Sequence, residues 1–372
     1  MSCILLVLVP VCALAQDAPE TPESLDSLAA AYRSAGRLAD ADSVLDRLVQ
    51  LAPLVANLEK SARVKAGLGQ WERAEQLYNR ALELRLDADP QPIASIPTRH
   101  QLVQVLVAQK KFAAATQQAY FAVRLRVLAM GPEHADVAAD TAVLARVYQA
   151  ETNWPLAAES WDSVVRIQSA AFGAEDLRLA ASLDHLSLCL KEQQLVPRAE
   201  EALRRALAIR ELNLGPMHTD VAHTTDELGE LLYGAERYAE AEPFFRRSLE
   251  IYLAFWGPGS PQLARNYDNL AVTEAMLQRL PESATHYAEA LKIRDSDGAL
   301  NLHHLALVQV ARGEKEAAEP LYRRLIALLD APGNDDPELR RMAVAEFATL
   351  RQELQTRQAL KRNKPPVAAR QK

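Results

Sequence analysis

The sequence predicts an all-α fold, a right-handed α-solenoid of helix-turn-helix repeats closed by a C-terminal capping helix. Three observations predict it. Glycines recur at Gly131, Gly173, Gly215 and Gly257, each 42 residues after the one before. A large residue opens the second helix of each unit, at Trp71, Phe112, Trp154, Val196, Tyr238 and Leu280, in the same phase. Within one unit, Gly215 to Trp256, two apolar stripes at helical spacing stand back to back. Val221, Ala222, Leu228, Gly229 and Leu232 form the first, and Tyr238, Ala241, Phe245, Leu249 and Ile251 the second. The turn between them, Ala235-Glu236-Arg237, is short and polar, so the helices fold back antiparallel. Two helices cannot cover both stripes, so the unit has to be copied and stacked.

Length and composition agree with that reading. A single compact core of 372 residues would be unusually large, whereas a repeat array has no such limit because each unit touches only its neighbours. A formal net charge of −7 gives no support to nucleic-acid binding through phosphates.

In chain order, Met1 to Ala15 reads as a secretory signal: an apolar run from Cys3 to Leu14, then Ala13-Leu14-Ala15 ahead of Gln16. It has no Lys or Arg before the apolar run, and at about 1.5 Å per residue it is too short for a bilayer of roughly 30 Å. Cleavage and export to a periplasmic or secreted location is the expectation, with a retained N-terminal membrane anchor as the alternative. A lipid anchor on Cys12 is disfavoured by Val11, which is not small. Residues 16–21 are a linker. Residues 22–86 hold two short units, with Gly36 and Gly69 at their turns and Ser61 where a leucine is expected. Residues 87–94 begin a proline-containing stretch, Pro90, Pro92 and Pro97, through which a helix cannot run. A bend in the array and a longer inter-unit turn are both open there.

Units three to seven occupy 95–294 in the 42-residue form, with Asp176 and Ser260-Pro261 as expected helix caps. Unit eight, 295–330, is short again, turning at Gly313. Pro243 and Pro320 fall early in their helices, where a missing donor matters least. A capping helix follows over 331–360, with Leu339, Met342, Phe347, Leu350 and Leu354 toward the array. The tail, 361–372, holds Lys361, Arg362, Lys364, Arg370 and Lys372 without an acid and reads as a disordered end.

These residues carry a resemblance. A small residue early in the second helix (Ala41, Ala74, Ala115, Ala157, Ala199, Ala241, Ala318), a bulky one four later, and Leu-small pairs on the first helix (Leu28-Ala29, Leu144-Ala145, Leu228-Gly229, Leu270-Ala271, Leu305-Ala306) resemble the tetratricopeptide repeat. The long units, with Gly-Pro-x-His-x-Asp-Val-Ala at Gly131–Ala138 and Gly215–Ala222, resemble its kinesin light chain variety. The resemblance spans Pro22 to Asp330 and implies a helical scaffold for protein partners. It accounts for His134 and His218 as structural residues at equivalent junctions, and it does not name a ligand.

Motifs for catalysis or cofactors are missing: no phosphate-binding glycine loop, no dinucleotide fingerprint, no His-Glu-x-x-His, no Cys-x-x-Cys and no Gly-x-Ser-x-Gly. His303 and His304 are adjacent and point about 100° apart on a helix, which is poor geometry for one metal ion. Cys189, flanked by leucines, reads as a small core residue. The expectation is therefore a non-enzymatic chain with no cofactor, no metal, no nucleic-acid partner and no membrane contact beyond the leader.

Function should lie on the inner surface lined by the first helices. Two residues before the first-helix leucine stand His100, Ala142, Asp184, Asp226, Asp268 and His303. Three aspartates spaced by one unit form acidic rungs, with Glu227 and Glu230 beside them. They are either solvated surface residues or a groove for a basic or amine-bearing extended peptide, with Asn269, His185, Gln101 and Gln104 available to its backbone. Arg146 and Arg265 interrupt the acidity. The function read from this is a scaffold or adaptor for a protein or peptide, basic under the second reading. The alternatives are a regulatory subunit of a separately encoded enzyme and a self-assembling structural element. Oligomeric state is left open.

Overall fold

A computed structural model describes residues 20–88, 92–294, 298–331 and 336–362. The leader (1–15) and the tail from residue 363 lie outside them. Two compact units divide the chain, 1–173 and 174–372. The first contains α1 (Pro22–Ser34), α2 (Leu38–Leu51), α3 (Val55–Gly67), α4 (Trp71–Ala88), a 3-10 turn (Pro92–Ser95), α5 (Ile96–Ala108), α6 (Phe112–Met130), α7 (Ala135–Ala150) and α8 (Trp154–Phe172). The second contains α9 (Arg178–Glu192), α10 (Val196–Leu214), α11 (Thr219–Gly234), α12 (Tyr238–Trp256), α13 (Leu263–Met276), α14 (Leu280–Arg294), α15 (Ala299–Ala311), α16 (Lys315–Leu329) and α17 (Pro337–Arg362). No strand occurs among the described residues.

Six second helices start at the large residues the sequence singles out, from Trp71 to Leu280. Turn chemistry explains the shared boundary. In the short units the turn residue is glycine in the left-handed region, as at Gly36 and Gly69. In the long units it is Lys110, Thr152, Gln194, Glu236 and Gln278, all near φ +60° and 42 residues apart. Each of these costs roughly 1 kcal/mol that a glycine would avoid. Gly131, Gly173 and Gly215 pair φ of 87°, 94° and 87° with ψ near 158°, a region only glycine occupies readily.

The first helices are started by side chains at one recurring position. His134 Nδ1 accepts the Asp136 N–H at 3.2 Å and His218 Nδ1 that of Asp220 at 3.1 Å. Asp176 Oδ1 accepts the Arg178 N–H at 2.9 Å, but α9 begins at Arg178 with Leu177 as its N-cap, so the expected cap at Asp176 is a bond in the turn ahead of the helix. Ser260, next in the series, does not cap. Its hydroxyl donates to Gln262 Oε1, Pro261 lies in the turn, and α13 begins at Leu263. Left-handed glycines at Gly257 and Gly259 carry that turn further along the chain.

The prolines after α4 do not all interrupt helix. Pro92 opens the 3-10 turn, which packs on α4, α5 and α6, whereas Pro97 sits in the first turn of α5, where its missing N–H costs nothing. Ser61 is fully buried in α3, and its hydroxyl has no hydrogen-bond partner among the described residues.

Packing follows a small-against-large rule. In the second unit Leu232, Ala241, Phe245, Leu249, Leu263 and Leu270 form one cluster. A Cβ on Gly229 would come within 2.7–3.0 Å of the Phe245 ring, so the ring lies where a side chain would otherwise be. A second cluster runs through Tyr287, Leu302, Leu305, Tyr322 and Leu325 to Leu339, Ala343, Leu350 and Leu354 of α17. Met342 was expected in that stripe but is 43% exposed. Ala343 takes the inner place, and its neighbour in sequence turns about 100° away. Glu346 ties α17 down, accepting from Tyr322 Oη at 3.0 Å and lying 2.7 Å from His303 Nε2. His303 is thus part of the cap's seat, and His304 packs against Tyr287.

Phe245→Ala should cost about 3–5 kcal/mol in denaturant unfolding, as for a buried aromatic. Arg247, on the outside of α12 in an ion pair with Glu211, should cost under about 1 kcal/mol when changed to Ala. Equal losses would show that the stripe has been assigned to the wrong face.

Candidate functional site

α11 buries Val221, Thr225, Leu228 and Leu232, which turns His223, Asp226, Glu227 and Glu230 to its opposite side at spacings of three and four. α13 buries Leu263, Leu270 and Ala271 and presents Arg265 and Asn269. At the end of α12, Tyr252 and Trp256 are one turn apart and stack with centroids 4.5 Å apart at 10°. These three helices enclose a cavity of about 290 Å³ whose lining includes Asp226, Glu227, Glu230, Arg265, Tyr252 and Trp256.

The acids in it are unequally partnered. Glu230 pairs with Arg265. Asp226 Oδ1 receives only long contacts from neutral donors, Asn266 Nδ2 at 3.3 Å, Ser248 Oγ at 3.4 Å and Asn269 Nδ2 at 3.5 Å. Glu227 Oε2 is shielded from solvent and accepts no hydrogen bond among the described residues, with His223 Nδ1 3.7 Å away. Burial pushes both carboxyls up, and repulsion from Glu230 adds to the rise at Asp226. Burial also moves the Tyr252 phenol to about 12, so it stays protonated and neutral at physiological pH.

The other candidates are placed differently. Asp184 is engaged by Arg210, whose Nη1 lies 2.8 Å from Oδ1, and Asp268 by Arg294 Nη2 at 2.8 Å and by Asn301. These two rungs are internal ion pairs, while Asp226 has no cation bonded to it among the described residues. His185 is half-buried on α9. His100, Gln101, Gln104 and Arg146 belong to the first unit, on α5 and α7. His100 Nε2 lies 3.1 Å from Asp140, a buried carboxylate that also accepts from Arg126 Nε at 2.9 Å; Gln104 and Arg146 are exposed. The structure therefore gathers Asp226, Glu227, Glu230, Arg265 and Asn269 and leaves the rest in separate settings. Sequence reasoning missed Tyr252, Trp256, His223 and Asn266. The signal for Tyr252 lay in the register of the second helices, where its equivalents in neighbouring units are arginines.

Among the described residues no group of three or more His, Cys, Asp or Glu could hold a metal ion, and no helix is long and apolar enough to cross a membrane. Cys189 is buried in α9.

A solenoid of paired helices with a polar pocket between its first helices defines a repeat scaffold of the protein-interaction class. Comparison with known proteins gives the kind of repeat. Three tetratricopeptide repeat models match, over residues 179–220, 220–296 and 302–336. Among solved structures, BtubC (BKLC) from P. vanneervenii is 19% identical and covers 62% of this chain and 94% of its own, with a TM-score of 0.50. The C-terminal part of a TPR repeat-containing protein from Cytophaga hutchinsonii is 12% identical and covers 77% and 99%, with a TM-score of 0.56. A putative kinesin light chain with nearly identical TPR-like repeats from Podosopora anserina is 21% identical over 54% and 96%, with a TM-score of 0.49. No curated protein matches. Tetratricopeptide repeats thus account for residues 179–296 and 302–336 of this chain.

Because Arg210 is almost wholly buried, removing its partner leaves a charge without compensation. Asp184→Ala should cost about 3 kcal/mol by chemical denaturation. Asp226→Ala removes no ion pair and should cost under about 1 kcal/mol. A loss at Asp226 as large as that at Asp184 would show that its carboxylate is a structural anchor.

Proposed function

We propose that this chain is an exported, non-enzymatic adaptor that holds an extended peptide of basic or amine-bearing character on the first-helix surface of residues 174–372. The observation that carries the reading is the cavity between α11 and α13, where among the described residues Asp226 has no ion pair, Glu227 Oε2 accepts no hydrogen bond and has only His223 Nδ1 3.7 Å away, and Asn269 is close by. Carboxylates poor in partners, on rigid helices, give a cationic peptide both charge complementarity and a surface that needs little rearrangement. Export rests on the apolar leader and the Ala13-Leu14-Ala15 sequence that ends it.

Two experiments test these parts separately. Selection of random dodecapeptides on the purified protein should enrich Lys- and Arg-containing sequences whose photo-crosslinks map to α11 and α13. The double variant Glu227→Gln, Asn269→Ala should weaken the selected peptides at least tenfold. Crosslinks confined to the outer faces of α10 and α12, or no enrichment at all, would overturn the groove. For export, N-terminal sequencing of protein produced from the full reading frame should begin at Gln16. An intact N-terminus in the cytosolic fraction would refute it.

A further inference from the structure

The register of the repeats shows what the cavity at Asp226 lacks. An acid on the first helix is followed 26 residues later by a second-helix residue that reaches it, as in Glu59 and Arg85, Asp184 and Arg210, and Asp268 and Arg294. Each of these pairs is an ion pair. Arg85 Nη2 lies 2.8 Å from Glu59 Oε1, Arg210 Nη1 2.8 Å from Asp184 Oδ1, and Arg294 Nη2 2.8 Å from Asp268 Oδ2. Each arginine also donates forward to a neutral oxygen at the start of the following first helix: Thr98 at 3.1 Å, Thr224 at 2.5 Å and Asn301 at 3.0 Å.

At Asp226 the corresponding residue is Tyr252. A phenol carries no positive charge there, and the side chain that stands in the register of the neighbours' arginines lines the cavity of about 290 Å³. What surrounds it still suits that group. Asp226 Oδ1 is left with three neutral donors at 3.3–3.5 Å, and Glu227 Oε2 has no donor. Arg265 is held by Glu230 at the cavity's edge. Tyr252 and Trp256, stacked at 10°, offer a flat aromatic wall, against which a planar guanidinium packs better than an ammonium does.

We propose that the Asp226 cavity receives the side chain of an arginine in the bound peptide, whose guanidinium takes the place that Arg210 and Arg294 fill in the adjacent repeats. The proposal rests on the peptide-binding reading and names its anchor.

The test uses the full-length protein and three acetylated, amidated pentapeptides, Gly-Gly-X-Gly-Gly, in which X is arginine, lysine or citrulline, followed by ligand-observed NMR titration. The arginine peptide should bind at least tenfold more tightly than the other two. Tyr252→Arg restores the internal pairing of the neighbouring repeats, so it should abolish binding while keeping the melting temperature at or above that of the wild type. Asp226→Asn should abolish binding as well, which covers the case in which the tyrosine variant folds poorly. Equal binding of citrulline, equal binding of lysine, no arginine binding at millimolar peptide, or undiminished binding to Tyr252→Arg would each overturn the assignment. If the pentapeptide fails while selected dodecapeptides still crosslink to α11 and α13, the arginine slot is wrong and the groove stands. If both fail, the groove is wrong too.

Discussion

A helical hairpin presents apolar surface on two sides and has only one internal partner, so each pair of helices in this chain must find a second pair to pack against. The close fit of Gly229 against Phe245 shows how strictly that constraint acts: the ring occupies space that even a methyl group would contest. A step of that kind sets the distance between helices of a hairpin. Once it is set, the same separation recurs in sequence, and acids on the first helices meet residues 26 positions later on the second. The 42-residue register is thus a packing constraint before it is a sequence pattern.

Much of this was legible because the signals are local. Trp71, Phe112, Trp154, Val196, Tyr238 and Leu280 mark helix starts since a bulky residue entering a helix after a short polar turn is readable within a few positions. His134 and His218 could be placed at equivalent junctions, although their capping hydrogen bonds to the N–H two residues on could not be read from composition. Ser260, expected to cap with Pro261 behind it, does not cap α13. Two left-handed glycines carry the turn beyond it, and backbone conformation at Gly259 has no helical periodicity to betray it. The error at Met342 is of a different kind. Both 342 and 343 lie near the stripe of α17, and small size at the inner position decided between them.

The site was harder to read because helical spacing says which residues share a face but not which charges are already satisfied. Asp184, Asp226 and Asp268 are equivalent on their own helices. They differ most in charge through residues 26 positions later, on the partner helix, where arginine, tyrosine and arginine stand. A buried pair such as Asp184 with Arg210 is weak evidence for stability, since the two charges are costly to desolvate, but breaking it is expensive. Such pairs make the repeats electrically self-contained. Asp140 with Arg126, and Lys65 between Asp42 and Asp46, show the same economy in the first unit.

Specificity in a repeat protein can therefore come from departures from the repeat. Where every unit satisfies its own acid, the surface offers a ligand solvated edges worth little. Where one unit lacks its internal cation, a carboxylate on a rigid helix stays under-partnered at a fixed place, with its geometry already set by the neighbours' packing. The fold supplies that geometry without strain, because α11 and α12 are held by the Leu228, Leu232 and Phe245 core whatever residue stands at 252. Under the proposed reading, one tyrosine where the units on either side have arginine would turn a structural position into a recognition position while Leu228, Leu232 and Phe245 keep their packing.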